Sequence, residues 1–215
     1  DIMSMKTHAK KDGNDWIING NKMWITNGSI ADVAVVWAKD ENDIIRGFLI
    51  EKDTEGFTSS DLHGKFSLRA SITSELSMSD VRVPDSSRLP NIEGLKGPLS
   101  CLTQARYGIA WGMVGASVDC YNTALSYAKE RKQFSKPIAG YQLTQQKIAE
   151  MVTRITESQL LVFRLGRLKD ENKMTFQQVS LAKRNNCMMA RDVSKTAREM
   201  LGGNGITIDY SPIRH

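Results

Sequence analysis

The chain has 215 residues, a mass of 24.0 kDa, 40% hydrophobic and 25% charged residues, and a net charge of +5. That length can bury roughly 70% of its unfolded surface, so a core needs neither disulfide nor metal support. The composition excludes a disordered chain, a collagen and a disulfide mini-protein, and its longest uncharged apolar stretch, residues 107–118, falls short of the roughly 20 residues of a membrane span.

The chain opens at Asp1 with neither an initiator methionine nor a signal-peptide pattern, and closes at Ile213-Arg214-His215 soon after a glycine-rich turn. It is expected to be a piece of something longer.

The first half reads as β. Trp16-Ile17-Ile18 and Met23-Trp24-Ile25-Thr26 flank Asn19-Gly20-Asn21, and Asn-Gly between apolar runs predicts a hairpin. Further strands are expected at 33–38, 47–51 and 75–78. Turn signals separate them at 40–43, at Glu55-Gly56 and at 84–87. Many short strands at this spacing predict an antiparallel barrel or sandwich over residues 1–92.

The second half, 93–215, reads as α. Residues 99–130 make the first helix candidate, with Gly108, Gly112 and Gly115 along it. Such a row permits close helix–helix approach or a nearby ligand, since each glycine costs up to about 1 kcal/mol in a helix interior. Ile148, Met151, Ile155, Val162 and Leu165 follow one helical face, as do Val179, Ala182, Met189, Val193, Ala197 and Met200. Three long helices predict an up-and-down bundle. The fold class is therefore α+β, with the boundary near Leu89-Pro90. Charge follows the same division. Residues 1–92 carry 11 Lys and Arg against 14 Asp and Glu, and residues 93–215 carry 18 against 10. An anionic partner should meet the second half. No zinc-finger, RNA-recognition or helix-turn-helix pattern supports nucleic acid.

Cys101, Cys120 and Cys187 are odd in number and far apart, so they are read as reduced thiols. His8, His63 and His215 have no metal-ligand spacing with each other or with the cysteines, so neither a zinc site nor a Cys–His pair is expected.

Four constellations can carry chemistry. Trp24-Ile25-Thr26-Asn27-Gly28 sets an aromatic beside a hydroxyl, which suits a flat heterocycle. The alternative is a core tryptophan with its turn. Gln104-Ala105-Arg106-Tyr107-Gly108 places an arginine among apolar residues, where it needs an anionic ligand or a structural salt bridge. Arg131-Lys132-Gln133-Phe134 ends a helix with cations that can hold phosphate or simply complement the helix dipole. Leu201-Gly202-Gly203-Asn204-Gly205 either lets backbone approach a nucleotide or caps a helix. Its spacing is neither a P-loop nor a Rossmann fingerprint.

In order and spacing these strings resemble the acyl-CoA dehydrogenase family of flavoenzymes over nearly the whole chain. Gly64-Lys65-Phe66-Ser67-Leu68-Arg69-Ala70-Ser71, Ala105-Arg106-Tyr107-Gly108-Ile109-Ala110-Trp111-Gly112 and Lys183-Arg184-Asn185-Asn186-Cys187 are similar to its glutaryl branch.

The resemblance implies a middle β domain followed by most of a C-terminal helical domain, and FAD as cofactor. It sets Trp24, Ile25 and Thr26 against the isoalloxazine, with Thr26 near N5. Arg131 lies at the pyrophosphate reached from a neighbouring subunit, Phe134 is a further cofactor-binding position, and Gln142 is the matching glutamine of the next helix. Glu199, Met200, Leu201, Gly202 and Gly203 lie at the adenosine end, although many relatives carry glutamine where this chain has Glu199. Leu99, Ser100, Cys101, Leu102, Thr103, Gln104, Ala105 and Arg106 match the acyl-CoA stretch. The implied reaction is α,β-dehydrogenation of an acyl-CoA, with glutaryl-CoA then decarboxylated to crotonyl-CoA. A straight-chain dehydrogenase and a non-catalytic binding module are the alternatives. The implied partners are electron-transferring flavoprotein and three further copies in a homotetramer. The implied compartment is bacterial cytoplasm or mitochondrial matrix. The general-base glutamate is expected beyond His215, and the N-terminal helical domain before Asp1, so the 215 residues alone are expected to be inactive.

Overall fold

The polar segment His8–Asp12 forms β1 and turns through Gly13 (φ +59°) into β2 (Asp15–Thr26). The structure is a computed structural model and describes residues 2–215. β3 (Val33–Lys39), β4 (Ile45–Glu51), β5 (Phe57–Asp61) and β6 (Thr73–Pro84) complete a six-stranded sheet in the order β4-β3-β1-β2-β6-β5. All its pairings are antiparallel except β1 with β3, which meet in parallel at His8 and Lys39.

Two expectations need correction. A barrel requires its edge strands to pair, and among the described residues β4 and β5 do not, so the sheet is mixed and open. Asn19-Gly20 is not a hairpin turn either. β2 runs straight through it, with an irregularity in its pairing to β6 between Ile18 and Gly20. Gly20 (φ +136°) is required because a Cβ there would lie 2.7 Å from Thr7 Cα. Asn19 spends its amide on the partner strand: Nδ2 donates to Asp80 Oδ1 at 3.0 Å, and Oδ1 accepts from the Asp80 N–H at 2.8 Å.

Alternation along β2, β4 and β6 buries Trp16, Ile18, Phe48, Ile50, Met78, Val81 and Val83 together. Trp16 and Phe48 meet edge to face, ring centroids 5.4 Å apart. The Trp16 indole N–H donates to Asp85 Oδ1 at 2.7 Å, and Lys11 Nζ donates to the same oxygen at 2.8 Å. These bonds, with Arg88, hold the Asp85 carboxyl far below its usual range. A depressed carboxylate stabilises the fold above its unfolded pKa of about 3.9 and loses that contribution as pH falls through the folded value. The wild type should therefore lose stability on acidification over a range in which Asp85→Asn is flatter. Parallel acid titrations of the two thermal midpoints check this, and identical slopes would remove Asp85 from the account.

α1 (Lys96–Glu130) leads through a small hairpin, β7 (Lys132–Gln133) and β8 (Lys136–Pro137), to α2 (Gln142–Asp170) and α3 (Phe176–Leu201). The chain divides into two compact units between Cys101 and Leu102, inside the first turns of α1. A Cβ on Gly97 would sit 2.9 Å from Trp37 Cη2, so the helix start packs with the sheet. In the second unit the three helices bury Ala124, Ala128, Met151, Val162, Val179, Met189 and Val193 in one core. α3 starts at a full capping box, with Thr175 and Gln178 satisfying each other's backbone N–H groups. Asn186, fully buried, donates to the Ala110 carbonyl at 2.8 Å, and Asn185 donates to Ser158 Oγ at 3.3 Å. These bonds tie α3 to α1 and to α2.

Close helix approach does not explain the glycine row. A Cβ on Gly108, Gly112 or Gly115 would meet nothing within 4 Å among the described residues. No helix among them is long and apolar enough to cross a membrane.

Candidate functional site

The first unit presents the Trp24-Ile25-Thr26 segment at the end of β2. A pairing irregularity between Lys22 and Ile25 throws Trp24 into the left-handed region (φ +63°) and leaves it 65% exposed. A bulky residue is rarely held there, and such strain collects at functional sites. The core reading of Trp24 is therefore overturned. Thr26 is exposed and Ile25 half-buried. Ile25 and Thr26 line a cavity of about 260 Å³ together with Lys22, Val35, Trp37 and Leu76. Burial lowers the Lys22 pKa to about 8, and its Nζ lies 3.0 Å from Met5 Sδ.

Along the start of α1, Leu99, Ser100, Cys101, Leu102, Gln104 and Ala105 are exposed, while Thr103 and Arg106 are half-buried. Arg106 makes no ion pair among the described residues.

In the second unit the remaining expected residues converge. Arg131 leaves the end of α1 with its N–H bonded to the Tyr127 carbonyl. It lines a cleft of about 460 Å³ with Tyr127, Gln133, Met200, Leu201, Gly202, Gly203 and Asn204. An adjoining cleft of about 490 Å³ shares Gln133, Ile138 and Met200, and adds Phe134, Tyr141, Gln142, Leu143, Lys147 and Glu199. All eight expected cofactor residues of this unit thus border two joined clefts. Met200 and Leu201 are buried supports beneath the exposed Gly202-Gly203 turn. Gly202 (φ +61°, ψ −132°) ends α3 in a conformation that side chains rarely adopt, and its N–H bonds to the Glu199 carbonyl. A Cβ at Gly202 or Gly203 would meet nothing within 4 Å, so their backbone stands open to the cleft. Phe134 (φ +49°) and Ser135 (φ +66°) are left-handed too, and Phe134 is fully exposed.

The cleft's charges come from Arg131, from Lys147, and from Glu199, whose carboxylate lies 3.2 Å from Lys147 Nζ and 4.0 Å from Lys195 Nζ. Exposed aromatics, a guanidinium without an ion pair among the described residues and an open glycine turn suit a flat heterocycle joined to phosphate. Tyr127, Tyr141 and Lys147 are members that sequence reading missed. Tyr127 could have been found, since it lies one helical turn before Arg131. Its hydroxyl accepts from Asn204 Nδ2 at 3.2 Å, joining the two motifs.

One cluster outside the clefts escaped the spacing argument. Asp119, Cys120 and His215 bring three donor atoms within 4.8 Å of one another. Burial and the Asp119 charge push the Cys120 thiol up to about 11, so it is a protonated thiol at neutral pH.

The chain matches the family profile of the acyl-CoA dehydrogenase middle domain over residues 1–81 and that of the C-terminal domain over residues 93–215. It is 36% identical to the rat mitochondrial short/branched chain specific acyl-CoA dehydrogenase, over 98% of this chain and 50% of that protein. It superposes on the crystal structure of glutaryl-CoA dehydrogenase from Mycobacterium smegmatis with a TM-score of 0.97 and 52% identity, covering 100% of this chain and 55% of that one. A second M. smegmatis glutaryl-CoA dehydrogenase structure, in complex with FADH2, gives 0.96 and 51%, over 99% and 55%. The chain therefore spans about half the length of these relatives. The two profile matches, on a sheet unit and a helical unit in that order, establish that the chain belongs to the acyl-CoA dehydrogenase family.

Proposed function

We propose that this chain is the middle and C-terminal part of an FAD-dependent enzyme that oxidises glutaryl-CoA across its α,β bond and decarboxylates it to crotonyl-CoA. The observation that carries the cofactor half of this reading is the gathering of Arg131, Phe134, Gln142 and residues 199–203 around two joined clefts. The substrate half is supported by the 52% identity to a glutaryl-CoA dehydrogenase.

The donor set fits FAD. Arg131 offers charge-assisted N–H bonds to pyrophosphate oxygens. The open backbone of Gly202-Gly203 accommodates the adenosine end without side-chain obstruction. In the sheet unit, the exposed indole of Trp24 and the exposed hydroxyl of Thr26 would hold the flavin ring. Bound FAD supplies the hydride acceptor of the reaction. On α1, Arg106 with the exposed 99–105 stretch is assigned to the acyl-CoA. Glu199 is committed to Lys147, and the proton-abstracting carboxylate is assigned to a segment beyond His215. The family pattern, in which Arg131 serves a neighbouring subunit's flavin, makes a homotetramer the assembly. It makes electron-transferring flavoprotein the electron acceptor.

The short/branched-chain relative supports a second reading, dehydrogenation without decarboxylation. Full-length protein purified with its flavin separates the two. Glutaryl-CoA should bleach the flavin absorbance and release CO2. Bleaching by butyryl-CoA but not by glutaryl-CoA would overturn the glutaryl assignment and leave the second reading.

A further inference from the structure

We infer that Lys147 is a positioning residue for the dinucleotide, acting through Glu199: it neutralises and holds aside the one carboxylate that borders the paired clefts. The inference rests on the FAD reading of those clefts.

Glu199 stands three residues before the Gly202-Gly203 turn and lines the same cleft as Phe134, Tyr141 and Gln142. An unpaired carboxylate there would oppose a pyrophosphate through like charge. The fold answers this from another helix. Lys147, on the second turn of α2, reaches across 52 positions of sequence to place Nζ 3.2 Å from Glu199 Oε2. Lys195 lies only within 4.0 Å of the other oxygen, one helical turn away on α3. Lys147 is thus the close partner, and it comes from the helix that also carries Gln142. Its side chain is half-buried, and Glu150 and Arg154 line the same stretch of α2. Arg154 is already paired with Asp192 at 2.8 Å, so it does not compete for Glu199. Gln146 is bonded to Glu150. The pair also fixes the last turn of α3 against α2, which holds the Glu199 carbonyl where it receives the Gly202 N–H.

The test is flavin-fluorescence titration of full-length apoprotein with FAD, supported by thermal midpoints of the apo form. Lys147→Met should weaken FAD binding about fivefold. The double variant Lys147→Met/Glu199→Gln should return to within about twofold of wild type, because the carboxylate that needed a partner is gone. Lys147→Arg should keep wild-type affinity. A purely structural role would lower the apo midpoint of both methionine variants alike and show no such rescue. A double variant as weak as Lys147→Met, or a Lys147→Met variant with unchanged affinity, overturns the inference alone. Wild-type protein that takes up no FAD overturns the site reading and the inference with it.

Discussion

Replacing Arg131 by methionine should lower the FAD affinity of the full-length protein by about a hundredfold, the equivalent of about 2.7 kcal/mol. Two charge-assisted hydrogen bonds at about 1.5 kcal/mol each account for a loss of this size. Arg131 is exposed and makes no ion pair among the described residues. Its guanidinium is steadied when the Gln133 amide takes the orientation that satisfies both of its ends, the oxygen then accepting from Nη2 at 2.8 Å and from Nε at 3.3 Å. Its remaining N–H groups are left for a ligand. Because no protein carboxylate depends on it, the apo thermal midpoint should hardly move. Flavin-fluorescence titration measures the loss. Unchanged affinity, or an equal fall in apo stability, would remove Arg131 from the phosphate site.

The second large effect is expected at Gly205. It is buried, and a Cβ there would land on the Arg198 carbonyl oxygen, with Arg198 C at 2.9 Å and Cα at 3.1 Å. These are backbone atoms of the last turns of α3, which cannot swing aside as a side chain can. Gly205→Ala should therefore cost about 3 kcal/mol and abolish flavin retention, because the turn moves away from α3. It also threatens the bond from Arg198 Nε to the Gly205 carbonyl, 3.0 Å. Gly203→Ala is the control. Its Cβ meets nothing within 4 Å, and stability should change by less than about 0.5 kcal/mol. Denaturant midpoints of the two variants decide it. Equal midpoints would show that the turn yields more easily than its packing implies.

Much of the helical unit is legible in the sequence because burial there follows one period. Met151, Ile155, Val162, Val179, Met189 and Val193 lie on apolar faces at helical spacing, and all are in the core. The Thr175–Gln178 capping box that starts α3 was not read from the sequence. The sheet is less legible. β1, His8–Asp12, alternates in burial but places only Ala9 in the core among polar residues, and β5, Phe57–Asp61, is largely exposed, so neither shows an apolar alternation in its sequence. Asn19-Gly20 carries the composition of a hairpin turn but serves a mid-strand irregularity, where cross-strand partners outweigh local preference. At the clefts, the Arg131, Phe134 and Gly202-Gly203 strings were visible as motifs. Lys147 was not, because its role comes from a partner 52 positions away. The exposure of Trp24 was hidden for a related reason: it depends on a pairing irregularity with β6, which local composition does not encode.

The strand order carries a kinetic consequence. β1 pairs with β2 only over residues Asp15 to Asn19, and from Gly20 onward the sheet partner of β2 is β6, whose pairing nearest along the chain, Thr26 with Thr73, spans 47 positions. β5 pairs only with β6 as well. Half of the longest strand and one entire edge therefore have nothing to bond with until β6 arrives. Closing so large a loop costs entropy before any contact rewards it. β6 is thus the gate of this unit's folding, and a chain that ends before residue 73 leaves the Trp24 segment as a bare strand edge, exposed to whatever other strand it meets first.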